Sequence, residues 1–79
     1  SIKRHHDLCI GDLVLTLNGS GTRYVLLMVI NNNEVYNLSG GYVEGIERSD
    51  VNKEFFPITI SELKILNNVP IDKPLYKIP

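Results

Sequence analysis

The stretch DLVLTLNGSGTRYVLLMVI, residues 12–30, decides the fold of this 79-residue chain. Leucine occupies every second position over residues 13–17, which is the period of a half-buried β-strand. Residues 18–21, Asn-Gly-Ser-Gly, follow at once, and an Asn-Gly pair tolerates the positive φ angles of a hairpin turn. Residues 22–30 are apolar on both faces. They therefore predict a central strand that is covered on both sides, by a curled sheet or by a partner.

Further strands are predicted downstream of this hairpin. Residues 35–38 and 42–48 have strand composition and are joined by a turn at Ser39-Gly40-Gly41. Phe55-Phe56-Pro57 is interpreted as a loop that returns to the core. Thr59-Ile60-Ser61-Glu62 has the spacing of a capping box, so we expect one short helical turn there, leading into a fifth strand at residues 64–66.

The composition supports β-structure and excludes several classes of protein. The chain has no Ala, while Ile, Val and Leu supply 26 residues, which disfavours a helical bundle. A net charge of −1 and a pI near 6.0 disfavour electrostatic binding of nucleic acid or of an anionic membrane. The longest apolar run, residues 24–30, is far shorter than the roughly 20 residues that span a bilayer. A single cysteine, Cys9, fits a reducing compartment, so a cytoplasmic protein is expected.

Strands in tandem with short turns predict one all-β domain over residues 1–79. We expect a small five-stranded barrel over residues 10–66, because closure removes exposed sheet edges. The three prolines of residues 67–79 predict an extended C-terminal tail that lies over the barrel surface.

The order of these elements resembles that of SH3-like barrels. The resemblance rests on Gly11-Asp12-x-Val14, the turn at residues 19–21, two hairpins and the run over residues 60–66. It implies a single 3₁₀ turn before the last strand. The Gly-Asp-x-Val opening is also similar to KOW-type barrels of ribosomal and transcription-factor proteins, but Arg23-Tyr24-Val25 stand where that motif has a glycine. The chain resembles accessory proteins of tailed phages as well, which implies a phage protein that engages or inhibits a host protein.

The residue patterns indicate neither a catalytic nor a metal site. The run His5-His6-Asp7-x-Cys9 crowds its metal-ligand types into five residues, so we interpret it as a solvated N-terminal segment without metal. Cys9 lies between Leu8 and Ile10 and is interpreted as a small buried hydrophobe. We therefore expect no cofactor and no enzymatic activity.

A non-enzymatic protein-binding module is the function that the sequence favours. Tyr36 and Tyr42 flank the turn at residues 39–41, and we expect them to stack on one face as anchors for a protein partner. The acidic stretch over residues 44–54 is expected to steer that partner. The candidate binding residues are Arg23, Tyr36, Tyr42, Glu44, Glu47, Arg48 and Asp50.

Two alternatives stay open. A KOW- or Tudor-like nucleic-acid-binding domain would use Arg23 and Arg48 beside the two tyrosines, although the net charge does not favour nucleic acid. A self-assembling structural subunit would bury the two-faced strand of residues 22–30 and the tail against a neighbouring copy. Contact with a membrane is not expected.

Overall fold

The chain folds into one antiparallel sheet of five strands, in a computed structural model that describes residues 1–46, 51–59 and 61–62. The strands are β1 (Leu13–Leu17), β2 (Tyr24–Val29), β3 (Glu34–Asn37), β4 (Tyr42–Gly45) and β5 (Phe56–Pro57). Their order across the sheet is β4-β3-β2-β1-β5, and a 3₁₀ turn over His5–Asp7 precedes them. The predicted all-β fold with five strands is confirmed.

Strand β2 is the central strand of the sheet, as its two apolar faces predict. It pairs with β1 from Leu13↔Met28 to Leu17↔Tyr24, and with β3 on its other side. Because β2 has a neighbouring strand on each side, its side chains on both faces of the sheet have cross-strand neighbours.

One face of the sheet, called the core face below, carries the hydrophobic core. The buried side chains of this cluster are Val14, Leu27, Val29, Val35 and Phe55. Val14 is fully buried and stands opposite Leu27 in the register of β1 and β2. Full burial of a side chain of this size stabilises the fold by about 1.5–3 kcal/mol relative to exposure.

Part of the N-terminal segment packs against this core, while His6, Asp7 and Cys9 are exposed. The backbones of Lys3 and Phe55 exchange two hydrogen bonds, of 2.8 and 2.9 Å. They place the His5 ring edge-on against the Phe55 ring, with centroids 4.9 Å apart and His5 only 5% exposed. The interpretation of residues 5–9 as a solvated segment is therefore wrong for His5, because pairing with a segment 52 residues away draws its ring into the core.

The sheet is open, whereas the sequence predicted a closed barrel. Among the described residues, β4 pairs only with β3 and β5 pairs only with β1. The fifth strand is Phe56–Pro57, in the segment interpreted as a loop; the strand predicted at residues 64–66 and the tail of residues 67–79 lie outside the described residues. Thr16 Oγ1 donates to the Glu54 carbonyl at 2.8 Å, which helps to hold this segment beside β1.

The predicted turns and the capping box are present. Asn18 closes the β1–β2 hairpin, because its Oδ1 atom accepts the Thr22 N–H at 2.9 Å. Gly41 has a φ of 78°, the left-handed conformation that favours glycine. The Glu62 carboxylate accepts the Thr59 N–H at 3.0 Å, while Thr59 Oγ1 accepts the Glu62 N–H at 3.2 Å. These reciprocal bonds are those of a capping box.

Candidate protein-binding surface

The face of the sheet opposite the core, called the outer face below, is also lined with apolar and aromatic side chains. Residues that stand opposite each other in an antiparallel pair point to the same face, so the register fixes the membership of each face. The outer face carries Leu13, Leu15, Leu17, Tyr24, Leu26, Met28, Tyr36, Leu38, Val43 and Phe56. Both faces of this sheet therefore have the composition of a core.

Burial on the outer face is incomplete. Leu15 is only 5% exposed, between its cross-strand neighbours Leu26 and Phe56. Other large side chains of the outer face remain in water: Leu17 is 42% exposed, Met28 37%, Leu38 42% and Val43 50%. Exposed large apolar side chains that share one face of a protein are typical of an interaction site.

A groove lies at the end of the outer face, beside the β1–β2 hairpin. Its volume is about 440 Å³, and Leu17, Tyr24 and Phe56 contribute its apolar lining. The rings of Tyr24 and Phe56 meet edge to face with centroids 5.9 Å apart, which fixes the orientation of both rings. Lys53 and Glu54 line the polar side of the groove. The groove extends the outer face with a concave aromatic site.

The two candidate tyrosines do not stack. Tyr36 stands opposite Val43, whereas Tyr42 stands opposite Asn37. Tyr36 therefore lies on the outer face and Tyr42 on the core face, where its hydroxyl accepts the Asn37 Nδ2–H at 3.3 Å. The prediction of a stacked pair is wrong, and a nucleic-acid surface that depends on this pair loses its stacking platform.

The charged candidates are dispersed over the fold. Arg23 is exposed and leads into β2 from the hairpin turn. Glu44 is half-buried on β4 and shares the core face with its neighbour Val35. Glu47, Arg48 and Asp50 lie outside the described residues. Among the strand residues that point to the outer face, Glu34 supplies a carboxylate, and sequence reasoning did not select it. Its Oε1 atom accepts a hydrogen bond from Asn31 Nδ2 at 2.9 Å.

The basic residues near the N-terminus are engaged in intramolecular contacts. Lys3 Nζ lies 2.8 Å from Asp12 Oδ2, and this hydrogen bond raises the pKa of Lys3. The same bond, together with the N–H of Cys9 at 2.8 Å, lowers the pKa of Asp12. Arg4 Nη1 donates to the Asn52 carbonyl at 2.6 Å and lies 3.8 Å from Glu54 Oε2. These contacts help to hold the N-terminal segment on the fold.

Cys9 is exposed, so its interpretation as a buried hydrophobe is wrong. The backbone around it forms a turn in which Asp12 N–H donates to the Cys9 carbonyl at 3.0 Å, and the thiol lies on the surface of that turn. In residues 1–46, 51–59 and 61–62, no group of three or more His, Cys, Asp and Glu side chains is arranged to hold a metal ion.

Comparison with known proteins returns no match to a family model, to a curated protein or to a solved structure. A helix long and apolar enough to span a bilayer is absent from the part of the chain that the structure describes.

The outer face includes several residues that sequence reasoning did not select, chief among them Leu17, Leu26 and Met28. Their signal was present in the alternating leucines of residues 13–17 and in the two apolar faces of residues 22–30. Aromatic and charged residues were favoured instead, because they are the usual anchors and steering groups of interfaces.

Proposed function

We propose that this chain is a non-enzymatic protein-binding module and that it binds its partner through the outer face. The observation that carries the proposal is the group of exposed apolar side chains on one side of the sheet, Leu17, Met28, Leu38 and Val43. Water-exposed apolar surface is unfavourable by about 25 cal/mol per Å², and covering it with a partner recovers that free energy.

We infer the chemistry of the partner from that of the surface. Met28 and Tyr36 stand opposite each other near the middle of the surface, and a flexible thioether beside a rigid ring suits an apolar partner surface of irregular shape. Glu34 supplies a carboxylate on the same face. The partner is therefore a folded protein that presents an apolar patch bordered by a Lys or Arg side chain facing Glu34.

We infer the cellular setting of this interaction from Cys9. An exposed free thiol at Cys9 suits a reducing compartment, and we place the module in the cytoplasm. In the phage interpretation of the sequence, the partner is a host protein that the module occupies or inhibits.

The test is affinity capture with matched variants, followed by reconstitution with the purified captured protein. Met28→Lys places a charge in the centre of the outer face, whereas Val51→Lys changes a residue that is 67% exposed and lies outside the strands. We expect the wild type and Val51→Lys to bind the purified partner equally, and Met28→Lys to bind it at least about 10-fold more weakly, which is the effect of losing a central interface contact. Far-UV circular dichroism checks that all three proteins are folded.

The decisive measurement is the dissociation constant of the reconstituted complex. Equal dissociation constants for the wild type and Met28→Lys would show that the partner binds elsewhere on the molecule. Weakening by both lysine variants would show that the effect is one of net charge rather than of the outer face.

A further inference from the structure

The chain's only Asn-Gly pair, Asn18-Gly19, lies in the turn of the β1–β2 hairpin. The side-chain amide of asparagine is chemically labile, because the backbone nitrogen of the next residue is held close enough to attack it. Glycine in the next position hinders this attack least, since it has no Cβ atom and rotates freely. The pair that favours the hairpin turn is therefore also a reactive pair.

The nucleophile of this reaction, the backbone nitrogen of Gly19, is accessible. Gly19 is exposed, and a methyl group on its Cα atom would meet no other atom within 4 Å. The N–H groups of Asn18 and Gly21 donate to carbonyls of the hairpin. In residues 1–46, 51–59 and 61–62, in contrast, no group accepts the N–H of Gly19. Its proton is thus open to removal by solvent.

The electrophile, the side-chain carbon Cγ of Asn18, carries an oxygen that accepts several hydrogen bonds. Asn18 Oδ1 accepts the Thr22 N–H at 2.9 Å and the Ser20 hydroxyl at 3.2 Å, and the Arg23 N–H lies 3.4 Å away. A backbone N–H can only donate, so these groups identify the atom as the carbonyl oxygen of the amide. Fixed donors around a carbonyl oxygen stabilise the negative charge that it gains when a nucleophile adds to its carbon.

The other described asparagines differ in these respects. Asn33 precedes Glu34, whose side chain crowds the backbone nitrogen that would attack. Asn37 precedes Leu38 and is only 4% exposed. Both residues serve as internal controls for the reactivity of Asn18.

We propose that Asn18 is a site of spontaneous deamidation in the folded chain. The Gly19 nitrogen loses its proton to solvent and forms a bond to Asn18 Cγ. The bond from Cγ to Nδ2 then breaks, and Nδ2 leaves as ammonia with a proton from water, so that a cyclic succinimide remains. Water opens this ring at either carbonyl. In the net reaction the asparagine and one water give ammonia and either aspartate or isoaspartate.

The two products have different consequences for the molecule. Aspartate keeps a side-chain oxygen that can accept the Thr22 N–H, and it adds a negative charge to the groove that Asn18 lines together with Lys53. Isoaspartate inserts a methylene group into the main chain and displaces that acceptor, so it disrupts the hairpin turn. This deamidation goes beyond the proposed partner binding and does not depend on it.

Peptide mapping by mass spectrometry, after incubation of the purified chain at neutral pH, tests the proposal. We expect Asn18 to deamidate at least about 10-fold faster than Asn33, and Gly19→Ala to remove most of this difference, since tenfold in rate corresponds to only about 1.4 kcal/mol in the barrier. The space around Gly19 accommodates the added methyl group, so slower reaction in this variant reports the attack and not a loss of fold. Equal rates at Asn18 and Asn33, or an unchanged rate in Gly19→Ala, would overturn the proposal.

Two further variants test whether the folded hairpin is the reacting state. Leu27→Val lowers the stability of the core and raises the unfolded fraction, yet it should leave the rate at Asn18 unchanged. A rate that rises with the unfolded fraction would assign the reaction to the unfolded chain and overturn the proposal. Ser20→Ala removes a donor to Oδ1 and should slow the reaction at least about 2-fold, because that donor stabilises the oxyanion. An unchanged or faster reaction in Ser20→Ala would refute the role given to the donors.

Discussion

The assignment of a core face and an outer face predicts different costs for truncating two adjacent leucines of β2. Leu27 lies on the core face and is 4% exposed, while Leu26 lies on the outer face and is half-buried. Leu27→Ala and Leu26→Ala delete the same atoms from the same strand. A difference between their free energies of unfolding therefore reports the environment of each side chain.

The magnitudes follow from the burial of each residue. Leu27→Ala removes the equivalent of three methylene groups at about 0.8 kcal/mol each, and the cavity left behind raises the loss to about 3–4 kcal/mol. Leu26→Ala removes atoms that are partly solvated and leaves an open surface, so we expect a loss of about 1 kcal/mol. A domain of this size is stable by about 4–12 kcal/mol, so Leu27→Ala removes at least about a quarter of that stability.

Urea unfolding followed by circular dichroism measures both losses, with a constant m value as the check on two-state behaviour. The expected difference of about 2–3 kcal/mol also corresponds to at least about 8 °C in Tm. Equal losses for the two variants would refute the reasoning, because they would show that the outer face is packed as a second core. The proposed partner surface would then be occupied within the chain itself. Should Leu27→Ala fail to fold, the smaller pair Leu27→Val and Leu26→Val makes the same comparison.

Three further changes test the local structure. Asp12→Asn should make the free energy of unfolding fall less steeply as pH is lowered in the acid range. The hydrogen bond from the Lys3 ammonium lowers the pKa of Asp12, so the carboxylate stabilises the fold above its unfolded pKa. This stabilisation is lost as pH falls through the lowered pKa, and Asn at position 12 has no charge to lose. Gly41→Ala should destabilise by about 1–2 kcal/mol, since the φ of Gly41 is 78°, whereas Gly19→Ala, which meets no atom within 4 Å, should be close to neutral; equal urea midpoints would contradict this. Asn18→Ala should cost about 1 kcal/mol by removing the acceptor of the hairpin turn, and Asn18→Asp should retain most of that stability in the same urea titration.

The β1–β2 hairpin and the central position of β2 could be predicted because their signals are local. Alternating leucines, an Asn-Gly turn and a two-faced apolar run all fall within residues 12–30. The pairing of Lys3 with Phe55 has no such signal, because it joins segments that are far apart in the chain and have little periodicity of their own. The burial of His5 follows from that pairing, and β5 is a two-residue strand defined only by its pairing with β1, so sequence reasoning missed both.

The error over the tyrosines has a different cause. Symmetry about Ser39 predicted that Tyr36 and Tyr42 face each other, whereas the ladder pairs Tyr36 with Val43. The hydrogen bond from Gly41 N–H to the Asn37 carbonyl, 2.7 Å long, makes the turn one residue longer than that symmetry assumes. A shift of one residue moves a side chain to the opposite face of the sheet. An error of one residue in the length of the turn therefore places Tyr36 and Tyr42 on opposite faces.

The strongest argument for an interaction surface is architectural. A sheet with two apolar faces is more stable in water when both faces are covered, because each face removed from solvent contributes to the fold. On the core face, the cover includes Leu8 of the N-terminal segment, with His5 packed behind Phe55. On the outer face, the described residues leave Met28 and Val43 more than a third exposed. The two apolar faces of β2 made it predictable as the central strand. Within the described fold the core face is covered and the outer face is partly exposed, and the outer face is the surface on which we expect a partner to bind.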